Sequence, residues 1–142
     1  MRFVQTQLGK APRQEVFDAW TDCESWPRWD RVAFTRVTVT ERTGNTVRLD
    51  AQVKVMGLRA RRTEKHVLTP PEKVDVEGEI RGLTNTTLWT FDETPEGTMV
   101  TAVADTQLKG LFGLLGPLLR WQGQTVLREW MRAFAKYVEA KT

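Results

Sequence analysis

The clearest pattern in the chain is an alternation with a period of two. Val47, Leu49, Ala51, Val53 and Val55 share one parity, and Arg48, Asp50, Gln52 and Lys54 share the other. That pattern predicts a strand with one buried and one wetted face, as in an antiparallel sheet. Similar runs lie on either side. Val37 and Val39 alternate with Arg36, Thr38 and Thr40, and Gly44-Asn45 marks the turn between the two runs. Gly57 ends the second run, and Leu58 to Leu68 forms the next, closed by Pro70-Pro71. Val74, Val76, Gly78 and Ile80 then alternate with Lys73, Asp75, Glu77, Glu79 and Arg81. After Gly82, the segment Asn85 to Phe91 puts Trp89 and Phe91 on one face. Pro95-Glu96-Gly97 turns the chain into Thr98 to Leu108. Six strands with short connections, from about Ala33 to Leu108, predict an up-and-down meander.

The period changes at both ends. Arg2 to Leu8 reads as a strand broken at Gly9. Pro12 suits a first helical turn, and Val16, Phe17 and Trp20 recur at helical spacing until about Thr21-Asp22. Trp26-Pro27-Arg28-Trp29 is at most a short second helix or turn, because a proline restricts the residue before it. From Gly116-Pro117 to near Thr142, Leu119, Gly123, Val126, Leu127, Trp130, Phe134, Tyr137 and Val138 form one helical stripe. Arg128, Glu129, Arg132 and Lys136 lie off it. A sheet with a wide apolar face and one long amphipathic helix bury each other best when the sheet curls around the helix. The expected class is α+β.

Length and composition narrow the setting. A chain of 142 residues, 40% hydrophobic and 27% charged, suits one soluble domain spanning 1–142. No apolar run approaches the roughly 20 residues that span a bilayer, and Met1 to Thr6 lacks an apolar signal core. Cys23 has no second cysteine to pair with, which agrees with a reducing compartment. The expected location is cytoplasmic. The net charge of +3 is spread along the chain, and the densest basic run, Arg59-Ala60-Arg61-Arg62, alternates between faces if it is a strand. Nucleic acid is therefore not an expected partner.

Two segments carry a family likeness. Ala11-Pro12-Arg13-Gln14-Glu15-Val16-Phe17 leading to Trp26-Pro27-Arg28-Trp29, and Gly97-Thr98-Met99-Val100-Thr101 before the final strand, resemble the START/polyketide-cyclase (SRPBCC) superfamily. The glycine- and leucine-rich stretch Leu111 to Leu119 occupies the usual position before that family's long helix. The resemblance covers almost the whole chain and implies the helix-grip fold. In that fold a strand, two short helices and six further strands form a curved antiparallel meander around one C-terminal helix, with a cavity between sheet and helix. It implies no single activity, since the superfamily includes lipid carriers, receptors, aromatases and cyclases, and function has to be argued from a site.

Parity assigns the inner face of such a cavity. Val53, Val55, Val76, Ile80, Trp89, Phe91, Val100, Ala102 and Ala104 should face inward, opposite Leu119, Gly123, Val126 and Leu127. Gly123 costs about 1 kcal/mol against alanine within a helix, which suggests a close approach there. The same apolar pattern also describes a filled core. One strand departs from it: the parity fixed by Leu58, Ala60 and Leu68 also carries Arg62, Glu64 and His66. Such groups, if buried, must pair or meet a polar part of a ligand. They could orient a carbonyl, phenol or carboxylate, or Glu64 and His66 could serve as an acid–base pair. A β-bulge would instead turn Arg62 and Glu64 outward.

The loop Leu111-Phe112-Gly113-Leu114-Leu115 is unusually apolar for a connection. The resemblance implies a position beside the cavity mouth, where it would be a lid with Phe112 against the ligand and, in that family's arrangement, Trp26 and Trp29 across from it. A transient membrane or protein contact and a satellite core are the alternatives. With one histidine, one cysteine and one tyrosine, no metal site is expected. No glycine-rich phosphate loop is present, and no cofactor is expected. The leading expectation is a binder or carrier of a small apolar or aromatic molecule, such as a lipid, quinone or polyketide-like ring system. The alternatives are a cyclase or aromatase-type enzyme using His66 and Glu64, and a protein-interaction module using the 111–115 loop.

Overall fold

A computed structural model describes residues 2–30, 32–55, 57–80, 83–106 and 116–141, the side chains of Val55 and of 116–120 excepted. The elements follow in the order β1 (Arg2–Gly9), α1 (Arg13–Thr21), a 3-10 turn (Cys23–Ser25) and α2 (Trp26–Trp29). Next come β2 (Phe34–Thr43), β3 (Thr46–Val55), β4 (Leu58–Thr69), β5 (Lys73–Ile80), β6 (Leu83–Thr94) and β7 (Gly97–Thr106). The last element is α3 (Gly116–Lys141). The strands form one antiparallel sheet in the order β1-β7-β6-β5-β4-β3-β2. The meander from β2 to β7 is therefore continuous, and the N-terminal strand closes on its far edge. Curled around α3, this is the helix-grip arrangement.

Period-two patterning explains the inner face strand by strand. Val47, Leu49, Ala51 and Val53 are buried on β3, Val74 and Val76 on β5, and Val100, Ala102 and Ala104 on β7. Local details differ from the sequence-based expectation at the ends. Pro12 is the extended residue just before α1 rather than part of its first turn, and its carbonyl accepts the N–H of Val16 at 3.0 Å. Strand β6 runs from Leu83, ahead of the expected Asn85, and on past Phe91 to Thr94. Bulges occur in β2, between Phe34 and Arg36 and between Val39 and Glu41. None falls in β4, where Leu58 to Val67 pair with β3 without a break and Arg62 to Thr69 pair with β5. The outward-flipped alternative for Arg62 and Glu64 is therefore overturned.

Helix α3 divides into two halves. Its C-terminal half buries Trp130, Met131, Phe134, Ala135 and Val138 in the core. Its N-terminal half keeps Gln122 to Leu127 only partly covered. Gly123 faces β1 so closely that a Cβ there would stand 3.1 Å from Phe3 Cζ. The close approach expected at that glycine is present, with Phe3 as its partner.

Helices α1 and α2 fill the lower part of the cup. Trp26 is almost fully buried and donates its indole N–H to the carbonyl of Trp20 at 3.0 Å. The rings of Trp20, Trp26, Trp89 and Trp130 form a chain of contacts at centroid distances of 5.2–5.4 Å. The edge-on and tilted geometries suit aromatic quadrupoles.

Candidate functional site

Between the sheet and the N-terminal half of α3 lies a cavity of about 480 Å³. Its floor is aromatic, with Trp20, Trp26, Trp89 and Trp130 exposing ring surface to it. Val53, Val76, Ile80 and Ala104 come from the sheet, and Phe3, Gly123, Val126 and Leu127 form the roof. Lys54, Leu58 and Thr84 also line it and are exposed, so they mark its opening. A mostly apolar cavity with a few convergent polar groups is the usual form of a small-molecule site, and this volume lies within the common range of about 300–1,000 Å³.

The polar groups come from β4. Its inward residues Arg62, Glu64 and His66 stand beside Ala51, Leu49 and Val47 of β3 and Ile80, Gly78 and Val76 of β5. All six neighbours are apolar or lack a side chain, so the three polar residues find partners in one another and beyond the adjacent strands. Arg62 Nε donates to Glu64 Oε2 at 2.5 Å, and His66 Nε2 meets Glu64 Oε1 at 2.6 Å. Arg62 Nη2 donates to Asn85 Oδ1 on β6 at 2.9 Å. The guanidinium reaches β6 because Gly78 lies beneath it; a Cβ at that position would overlap Arg62 and Asn85.

Electrostatics fixes the protonation of this group. Burial alone pushes the Glu64 carboxyl up, but the charge of Arg62 and the hydrogen bond from His66 outweigh it and hold the carboxyl down to about 2. An ionised carboxylate only accepts, so His66 Nε2 carries the hydrogen and donates. The other ring nitrogen, Nδ1, faces the Cys23 thiol at 3.8 Å. Burial, reinforced by the negative charge of Glu64, pushes that thiol far above the ordinary range. Cys23 therefore stays a neutral thiol rather than a nucleophile.

The predicted lining residues separate into three groups. Val53, Arg62, Glu64, Val76, Ile80, Trp89, Ala104, Gly123 and Leu127 do line the cavity. Four others do not. His66, 1% exposed, is shut behind the rings of Trp20 and Trp26, at 5.1 and 6.0 Å between centroids. Phe91 packs edge-on against Phe17 of α1, and Ala102 is wholly buried in the same core. Trp29 stacks on Tyr137 and touches Phe134 and Trp130, toward the C-terminal half of α3 rather than at the mouth. Helix residues cover His66 and Phe91, which strand parity cannot register, and Trp29, placed across the mouth by the resemblance, is itself on α2. The side chains of Val55 and Leu119, together with Phe112 and the whole 111–115 loop, lie outside the described residues.

Sequence reasoning missed Asn85 and Asp30. Asn85 has the same parity as Trp89 and Phe91, so its inward direction was available. Asp30 had no periodic signal at all. Its buried carboxylate accepts the backbone N–H groups of Val32, Ala33 and Phe34 at 2.7–3.1 Å and the indole N–H of Trp130 at 3.0 Å. It thus ties the start of β2 to α3, beside the cavity residues Ala33, Phe34 and Trp130. Among the described residues, no group of three His, Cys, Asp or Glu could hold a metal ion. No described helix is long and apolar enough to cross a membrane.

Solved structures share this fold at low identity. TTHA0849 from Thermus thermophilus superposes with a TM-score of 0.90 at 19% identity, over 100% of this chain and 99% of that one. A START superfamily protein from Mycobacterium smegmatis gives 0.86 at 16%, covering 99% of both chains. The Zhui aromatase/cyclase from a Streptomyces species gives 0.78 at 16%, covering 99% and 92%. At these identities the likeness is one of fold. No curated protein matches the chain by sequence. Residues 10–135 match the family described as polyketide cyclase / dehydrase and lipid transport. With that match spanning most of its length, and the helix-grip architecture around it, the chain belongs to this family.

Proposed function

We propose that this protein binds and carries, without altering it, a small apolar or aromatic molecule seated between the sheet and α3. The observation that carries this reading is the pairing of an aromatic-floored cavity with one fixed guanidinium. Two of the N–H groups of Arg62 are engaged by Glu64 and Asn85, and a guanidinium has five. The remaining donors suit a carbonyl, phenol or carboxylate oxygen at one end of the ligand. The walls supply burial, worth about 25 cal/mol per Å² of apolar area removed from water.

A cyclase or aromatase reading with His66 or Glu64 as acid–base finds less support. Both oxygens of Glu64 are occupied, its carboxyl is held down to about 2, and His66 does not line the cavity. A general acid–base should be poised near the working pH and within reach of substrate.

The test uses the tryptophans in the cavity floor. Anilinonaphthalene sulfonate, an aromatic anion, should quench their fluorescence with one-to-one stoichiometry, and Arg62→Met should weaken that titration. Mass spectrometry of solvent extracts of the protein from its native cell would identify the natural ligand. No saturable quenching and an empty extract together would sink the carrier reading. His66→Ala separates the enzyme alternative: a carrier keeps most of its affinity, whereas an acid–base enzyme loses about 10²–10⁴ in rate.

A further inference from the structure

The hydrogen bonds of the polar cluster run in one direction, and that direction fixes what Asn85 can offer a ligand. Glu64 is an ionised carboxylate that only accepts, so Arg62 donates to it. A guanidinium has donors and no acceptor. The branch of Asn85 that meets Arg62 Nη2 at 2.9 Å must therefore be its carbonyl oxygen. The amide nitrogen then occupies the other branch of the same carbon. Among the described residues nothing accepts a hydrogen bond from Asn85 Nδ2, and this nitrogen is not sealed inside the protein.

Arg62 and Asn85 both line the cavity. They offer it donors side by side, since the oxygen of Asn85 is turned to Arg62 and those of Glu64 to Arg62 and His66. Deeper in, the indole N–H groups of Trp26 and Trp130 are engaged by the Trp20 carbonyl and by Asp30, so these rings present apolar surface. A ligand is thereby held with its apolar skeleton on the rings and its oxygens toward β4 and β6. A molecule with a single oxygen meets one donor and leaves the other dry. A buried donor without an acceptor lowers affinity about tenfold or more. Such a site rejects a ligand that lacks the second oxygen more firmly than an apolar pocket rejects a missing methylene.

We propose that Asn85 determines ligand specificity. With Arg62 it forms a paired donor that selects an apolar ring skeleton carrying two acceptor oxygens on one carbon or on neighbouring carbons, as in a carboxylate or a 1,2-dicarbonyl. This selection rests on the carrier reading above and narrows it to a class of ligand.

Four probes on one skeleton test it: acenaphthene, acenaphthenone with one carbonyl, acenaphthenequinone with two neighbouring carbonyls, and acenaphthene-5-carboxylate. Equilibrium dialysis against the full-length protein gives the four affinities. The native protein should hold the quinone, the carboxylate or both about tenfold or more tighter than acenaphthenone. The tighter of the two says whether the oxygen pair is neutral or ionised. Asn85→Asp keeps an oxygen for Arg62 and replaces the donor by an acceptor, so the preference should vanish or reverse. Asn85→Leu should bring it to about one. Circular dichroism melts confirm that the variants are folded. A merely structural role for Asn85 would lower all four affinities together and leave their ratios standing. Equal affinity of the native protein for the one-oxygen and two-oxygen probes overturns the paired donor, as does a preference that survives in both variants; binding of acenaphthene in either case keeps the carrier reading intact. Failure of all four probes to bind counts against the carrier reading and overturns this selection with it.

Discussion

The guanidinium of Arg62 lies directly over Gly78, crossing β5 to reach Asn85 on the strand beyond. Gly78 is thus part of the site although it has no side chain. In Gly78→Ala the new methyl would overlap the guanidinium, which must swing away and release Asn85. Affinity for anilinonaphthalene sulfonate should fall about tenfold, since a charge-assisted hydrogen bond is worth about 1.5–3 kcal/mol. Affinity for an uncharged aromatic should change little. Parallel tryptophan-fluorescence titrations decide the matter; equal losses for both probes would mean that the cavity had collapsed instead.

Asp30 should be a stability residue. Asp30→Ala leaves three backbone N–H groups and the Trp130 indole N–H without their acceptor. Each unsatisfied buried donor costs about 1–3 kcal/mol, reduced where water can enter. Urea unfolding should show a loss of about 3 kcal/mol or more. Trp130→Phe, which removes one donor and keeps most of the ring packing, should cost less. A wild-type midpoint in Asp30→Ala would refute this account.

Acid should unfold the protein partly through Glu64. Its carboxyl is held down to about 2 in the folded chain against an ordinary 4.5. A group depressed on folding stabilises the native state at pH above its unfolded value, and that contribution is lost as pH falls toward the folded value. The loss should therefore develop between about pH 5 and 2, on the order of a few kcal/mol. The double variant Arg62→Met/Glu64→Met should flatten this part of the stability profile. Glu64→Ala alone should cost about 3 kcal/mol near neutrality, because the partly buried Arg62 is left without its counter-charge.

Cys23 should behave as a hidden thiol. It is 2% exposed and its acidity is suppressed by burial and by Glu64. Native protein should react with Ellman's reagent orders of magnitude more slowly than protein in denaturant, since the thiolate is the reactive species. Prompt stoichiometric reaction of the native chain at neutral pH would contradict the buried arrangement with His66.

The alternation in β3 and β5, the stripe on α3 and the turn at Pro95-Glu96-Gly97 were legible in the sequence and appear where expected. So was the inward parity of Arg62, Glu64 and His66, because direction on a strand depends only on the period of two and an unbroken ladder. Asn85 was readable by the same rule and overlooked. The roles of Trp20, Trp26 and Asp30 were not readable in that way. They lie on or after short helices, whose position over the sheet is set by contacts distant in sequence.

The sequence by itself therefore determined the helix-grip architecture and which side chains point inward. Only the tertiary structure decided which of those meet open space. His66, Phe91 and Ala102 point inward and yet lie behind aromatic rings or beneath α1, whereas Arg62 faces the cavity. Orientation is a local property of the backbone. Whether an inward position is filled or empty depends on how closely α1, α2 and α3 approach it, as at Gly123 of α3, where a Cβ would stand 3.1 Å from the Phe3 ring.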